Sequence, residues 1–121
     1  RASEAGRIRR EAVRDGYVRL EGAVTKTSHR RLVAVNPALE AWLRIPGEWP
    51  PKGWKKRRDA LRAGLPWPHN CLRHSFCSYA LPIYGAARTA LEAGHSERVL
   101  MKHYRELVTR EAAERYWAIR P

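Results

Sequence analysis

Twenty-four Lys and Arg against 12 Asp and Glu give this 121-residue chain a net charge of +12, on a length suited to one domain. Hydrophobic residues make up 44%, with five Trp and five Tyr, which is enough for a core and too much for a chain that stays disordered. No apolar run approaches the roughly 18 residues of a membrane span, and the opening Arg1-Ala2-Ser3-Glu4 holds no signal-peptide core. The expectation is a soluble, cytoplasmic protein. Nineteen of the cations are Arg, whose planar fork fits phosphate, so a polyanion is the expected partner. Nucleic acid fits better than a membrane, because no basic amphipathic helix presents a Trp/Phe/Leu face. The bland alternative is a soluble protein that is merely rich in Arg.

In chain order, Ala5, Ile8 and Ala12 fall at helical spacing and predict the tail of a helix over Arg1 to Val13. Asp15-Gly16 marks a turn, and Tyr17 to Leu20 alternates as a strand does. Ala23 to Thr27 and Arg31 to Val35 predict two further strands joined at Ser28-His29-Arg30, completing a three-stranded antiparallel meander. Asn36-Pro37 opens a helix through Leu43, with Pro in its first turn. Gly53 to Ala63 predicts a helix with a positive face from Lys52, Lys55, Lys56, Arg57 and Arg58. Helices follow over Asn70 to Ala80, Ala86 to Ala93, Ser96 to Leu107 (Ser96 as N-cap) and Thr109 to Ile119, the last with Ala112, Ala113, Tyr116 and Trp117 on one side. Cys71 and Cys77, six apart in one predicted helix, point in different directions and make no metal-ligand pattern. They read as reduced structural thiols.

Three segments of the C-terminal half carry the informative polar residues: Leu72-Arg73-His74-Ser75-Phe76, Gly94-His95-Ser96 and His103-Tyr104. Arg73 and His95 are 22 residues apart, and His95 and Tyr104 nine. In order and spacing they resemble the tyrosine recombinase (phage integrase) family. There the first segment holds a catalytic Arg, the second a catalytic His, and a Tyr nine residues later is the nucleophile. Upstream, Arg1-Ala2-Ser3-Glu4 resembles the family's Arg-x-x-Glu motif with its first catalytic Arg, and Thr25-Lys26-Thr27 resembles the hairpin whose Lys is the general acid. The resemblance covers essentially the whole chain, and five pieces in the right order say more than any one of them.

The resemblance implies an α+β catalytic domain, mostly helical with a small three-stranded antiparallel sheet near the N-terminus. It also implies site-specific DNA breakage and rejoining through a 3′-phosphotyrosyl intermediate, by a protein of a mobile element or prophage. Attack of a phenol oxygen on a phosphodiester builds charge on the non-bridging oxygens, which a metal-free, cofactor-free enzyme must meet with fixed cations and donors. Arg1 and Arg73 would clamp that charge and His95 would add a donor. Tyr104, with a phenol pKa near ~10, needs help to lose its proton. Lys26 would protonate the leaving 5′-oxygen. The expected partner is double-stranded DNA, contacted through Arg30, Arg31, Lys52, Lys55, Lys56, Arg57 and Arg58, with a tetramer on DNA in the full-length protein. Residues 1–121 would form one catalytic domain whose start and N-terminal DNA-binding domain lie upstream.

The pattern departs from the family where a histidine usually stands three residues before the second Arg. Here that position is Asn70, with His69 one step earlier. Asn70 can cap the helix, or His69 can swing in as the donor. Each site residue also has a plainer reading: Tyr104 as a core aromatic with Leu100 and Leu107, His95 in a turn, Arg73 in an ion pair, Lys26 as a polar hairpin residue. The basic cluster could be a solvated face, and the tail from Thr109 to Pro121 could pack on a neighbouring protomer or on its own domain. Two other functions stay open: a DNA-binding module that keeps the fold without turnover, and a basic domain binding RNA or protein.

Overall fold

The computed structural model describes residues 2–22, 30–105 and 107–121. A short helix α1 (Ala2–Ala5) and a 3-10 turn (Arg10–Ala12) lead into β1 (Val13–Arg14), β2 (Tyr17–Leu20) and β3 (Arg31–Ala34). The helices α2 (Pro37–Leu43), α3 (Trp54–Ala63), α4 (Cys71–Ala93), α5 (Glu97–Tyr104) and α6 (Arg110–Trp117) follow. The architecture is α+β, with a three-stranded antiparallel sheet near the N-terminus. Among the described residues no helix is long and apolar enough to cross a membrane.

The sheet is a three-stranded antiparallel meander as expected, but it is built from a different set of strands. β2 lies in the centre, pairing Val18 with Val13 on one side and with Val33 on the other. Val13, expected to end a helix, begins the edge strand with Arg14. The reason is the turn: Asp15 (φ 53°) and Gly16 (φ 76°) are both left-handed, the geometry of a two-residue hairpin turn that suits Asp-Gly and folds Val13 back onto β2. Ala23 to Thr27 lies outside the described residues. Along β2, Val18 and Leu20 are buried while Tyr17 and Arg19 are exposed, as a half-buried strand requires.

α2 begins as its sequence predicts. Asn36 Oδ1 accepts from the Leu39 amide at 2.8 Å and Pro37 occupies the first turn. Arg10 ties the 3-10 turn to the far end of this helix: its guanidinium donates to the carbonyls of Leu43, Ile45 and Gly47 and lies 4.6 Å from the Trp49 ring centroid. Cationic groups suit the free carbonyls at a helix C-terminus.

The decisive element is α4. Gly85 has φ 79° and ψ 170°, a non-helical conformation inside the span, in a region of backbone space that is essentially reserved for glycine. It divides α4 into two arms, 71–84 and 86–93. At 1.5 Å per residue a straight helix would set residues 73 and 93 about 30 Å apart, yet Arg73 Nη2 donates to the Ala93 carbonyl at 2.7 Å. The arms therefore fold back on each other. The first arm runs past its expected end at Ala80 and through Pro82, and the break falls at the glycine. Cys77, Ala90, Ala93, Leu100 and Tyr104 form the buried cluster between the arms and α5, with Phe76 and Leu81 against it.

α6 docks on the first arm of α4. Ala113 is fully buried, Tyr116 stacks on Tyr79 with ring centroids 4.1 Å apart, and the Trp117 indole N–H donates to the Tyr79 carbonyl at 2.9 Å. Of the two placements open for the tail, the chain adopts the one on its own domain.

Candidate functional site

Folding back at Gly85 brings the first turn of α4 against the link to α5. That link is fixed at both ends. Gly94, left-handed at φ 65°, donates to Leu91 O while the His95 amide donates to Ala90 O, the paired bonds of a Schellman helix end. Ser96 then caps α5 by accepting from the Val99 amide. His95 is held between a helix stop and a helix start, and Arg73 Nε donates to its Nε2 at 2.8 Å. A guanidinium can only donate, so His95 Nε2 is the acceptor and its ring proton sits on Nδ1. His95 Nε2 is thus engaged by Arg73.

Tyr104, at the end of α5, is 5% exposed. Its hydroxyl lies 2.9 Å from His74 Nδ1, and Cys77 belongs to the same buried cluster. Burial pushes the phenol above its ordinary range, with the nearby Cys77 adding to the rise and the Arg73 guanidinium opposing it. Arg73 and His95 are joined by a hydrogen bond, and Tyr104 meets the residue next to Arg73 through its contact with His74.

Asn70 starts α4 in a left-handed conformation (φ 56°), which Asn tolerates, and its side chain makes no cap bond. It serves the helix through its carbonyl, which accepts from the Arg73 and His74 amides. His69 and Asn70 are exposed and line a cleft of about 400 Å³ together with Trp54, Arg58, Arg62, Trp67, Arg31 and Arg73.

The expected DNA contacts separate into two groups. Lys52, Lys55, Lys56 and Arg57 are exposed at the start of α3, and Arg30 is exposed beside Glu21. Arg58 is turned onto Asp59 at 2.8 Å and lies 5.9 Å from the Trp54 ring centroid. Arg31 is largely buried and pairs with Glu4 at 2.6 Å, its guanidinium passing so close to Gly94 that a Cβ there would meet Nη1 at 3.1 Å. Arg31 thereby joins β3 to α1 and to the residue preceding His95. Arg1 and Lys26 lie outside the described residues.

Sequence reasoning gave His74 no role, although it adjoins Arg73, and left Cys77 as a structural thiol. Their nearness to Tyr104 arises from helix pairing, which leaves no local spacing to read. The Glu4–Arg31 pair was equally unseen, its only trace being Glu4 in the Arg-x-x-Glu segment.

Three weak acids held in the packed interior predict an alkaline limb of stability. Burial raises the Cys77 thiol from its ordinary 9.0, and the Tyr104 and Tyr116 phenols from 10.0. Folding favours the protonated forms, so their contribution is complete below the ordinary values and is lost as pH rises through the raised ones. Urea unfolding between pH 7 and 11 should show stability level to about pH 9 and falling beyond it, with a shallower fall in Tyr116→Phe. A flat profile to pH 11 would contradict these burials. No family model matches the chain, and neither does any curated protein or solved structure.

Proposed function

We propose that this chain is the catalytic region of a site-specific DNA recombinase or integrase of the tyrosine type. The observation that carries the reading is the placement of Arg73, His95 and Tyr104: residues 22 and nine positions apart, with Arg73 bonded to His95 and the Tyr104 hydroxyl 2.9 Å from His74, the residue next to Arg73. Tyr104 oxygen attacks the phosphorus of a DNA strand, the 5′-oxygen leaves, and a 3′-phosphotyrosyl link remains. A 5′-hydroxyl from a second strand reverses the step without ATP, because one phosphodiester is exchanged for another. Arg73, fixed by His95 and by the Ala93 carbonyl, keeps its charge at any working pH and opposes the charge that builds on the phosphate oxygens. Arg1 and Lys26 take the roles the sequence resemblance implies, as second clamp and as acid for the leaving oxygen. The exposed cations at the start of α3 and the Arg-lined cleft supply phosphate contacts that hold duplex DNA in register. A tetramer on DNA belongs to this same reading.

The test is covalent capture on nicked duplexes drawn from the ends of the DNA element that encodes the protein. Cleavage beside the nick releases a short 5′-hydroxyl fragment and traps the intermediate. The expected result is a protein–DNA adduct that survives denaturation and maps by peptide mass spectrometry to Tyr104. A protein that binds those ends without forming an adduct would instead be a DNA-binding module, a reading favoured by the burial of Tyr104.

A further inference from the structure

We propose that His74 is the base that takes the proton from Tyr104 in strand cleavage, an inference that rests on the recombinase reading above. The Tyr104 hydroxyl and His74 Nδ1 are 2.9 Å apart, with the rings 5.5 Å between centroids and tilted by 42°. A phenol donating along that line requires Nδ1 unprotonated, hence the imidazole proton on Nε2. Nδ1 then has a lone pair on the atom that must lose its proton, within the reach a general base needs.

The surroundings favour His74 over other acceptors. Tyr104 is buried while His74 is exposed, so the imidazole connects an enclosed phenol to water. Cys77, in the same buried cluster as Tyr104, has no exposed surface, and burial pushes its thiol up, toward the protonated form. His95 Nε2 is occupied by Arg73. Asn70, where the resemblance implies a histidine, has no basic nitrogen. Among the described residues, the charged and titratable groups near the pair include Arg73 and Cys77 on α4 and His103 on α5, whose ring lies 6.5 Å from that of Tyr104. Transfer gives an imidazolium beside a phenolate, and Arg73 stabilises the phenolate.

The step balances. The Tyr104 O–H breaks and an N–H forms at His74 Nδ1. The P–O(Tyr104) bond forms as the P–O5′ bond breaks, and O5′ takes its proton from the Lys26 ammonium. In the return step the 5′-hydroxyl gives its proton to the Lys26 amine, and the His74 imidazolium reprotonates the phenol oxygen.

The experiment measures single-turnover adduct formation on nicked duplexes across pH for wild type, His74→Asn, His74→Ala and Lys26→Ala. His74→Asn keeps an acceptor near the position of Nδ1 but cannot take up a proton. Both His74 variants should cleave about 100-fold more slowly or worse, their rates rising with pH where wild type levels off, and added imidazole should restore much of the rate of His74→Ala. On a substrate with sulfur in place of the leaving 5′-oxygen, which leaves without a proton, the His74 defect should persist and the Lys26→Ala defect should disappear.

Wild-type rate and pH profile in His74→Asn would overturn the proposal. So would a defect that sulfur relieves, which would make His74 an acid. A defect with unchanged pH profile and no imidazole rescue would reduce His74 to structural support. Absence of any adduct in wild type would overturn the recombinase reading, and this inference with it.

Discussion

Tyr104→Phe should abolish the covalent adduct while leaving the fold and duplex affinity in place. Phe keeps the ring that packs with Cys77, Leu100 and the second arm of α4, so no cavity opens. The lost hydroxyl leaves His74 Nδ1 without its partner, but His74 is exposed and water can replace the bond, so the cost should stay within about 1 kcal/mol. The readings are a denaturing gel for the adduct, urea unfolding for stability, and salt-dependent duplex binding for affinity. Residual adduct at wild-type yield would place the nucleophile elsewhere. A stability loss of several kcal/mol would mean that the phenol's structural role outweighs its chemical one.

Glu4→Gln should produce the largest stability change. The Glu4 side chain is 3% exposed and that of Arg31 14%, and their charges meet at 2.6 Å. Neutralising one member leaves the other charge buried without its counter-ion, a loss of about 3–5 kcal/mol, set against a total stability of roughly 5–15 kcal/mol for a domain. The double variant Glu4→Gln with Arg31→Met should recover much of that loss, because no charge is then stranded. Urea unfolding of the two single variants and the double variant measures the coupling directly. A loss below about 1 kcal/mol in Glu4→Gln would put this pair in the class of solvated surface pairs. Because Arg31 passes over Gly94, the variant should also loosen His95 and slow cleavage.

The helix starts were legible because capping is local chemistry. Asn36, Ser96 and Thr109 each accept from an amide three residues on, and each was identifiable from a few neighbours. The spacing of Arg73, His95 and Tyr104 stood out for another reason, its resemblance to a family pattern, and the break between the helices expected to end at Ala80 and to start at Ala86 falls at Gly85. What stayed hidden was partner choice. Val13 joins the sheet because a turn folds it onto Val18, overriding helical spacing that the preceding residues share. His74 meets Tyr104, and Glu4 meets Arg31, across packed elements, where no periodicity within one segment marks the encounter. Arg31 also shows the limit of reading a cation by type: it looked like its neighbour Arg30, and only packing separates an exposed cation from a largely buried ion pair.

Gly85 has one more consequence. It is exposed, and a Cβ built on it would meet no atom within 4 Å, so neither burial nor crowding marks it as important. Its constraint is conformational alone. Any other residue there favours helix over this backbone geometry, Ala by about 1 kcal/mol in propensity, and the two arms would then tend to rejoin into one rod. Helicity would rise as the site came apart. A straightened α4 would carry α5, α6 and Tyr104 away from their own Arg73 and offer them to the matching surface of a second molecule, the geometry of a domain swap. The reversal at one glycine is what keeps the Tyr104 phenol and the Arg73 guanidinium on neighbouring elements of the same chain.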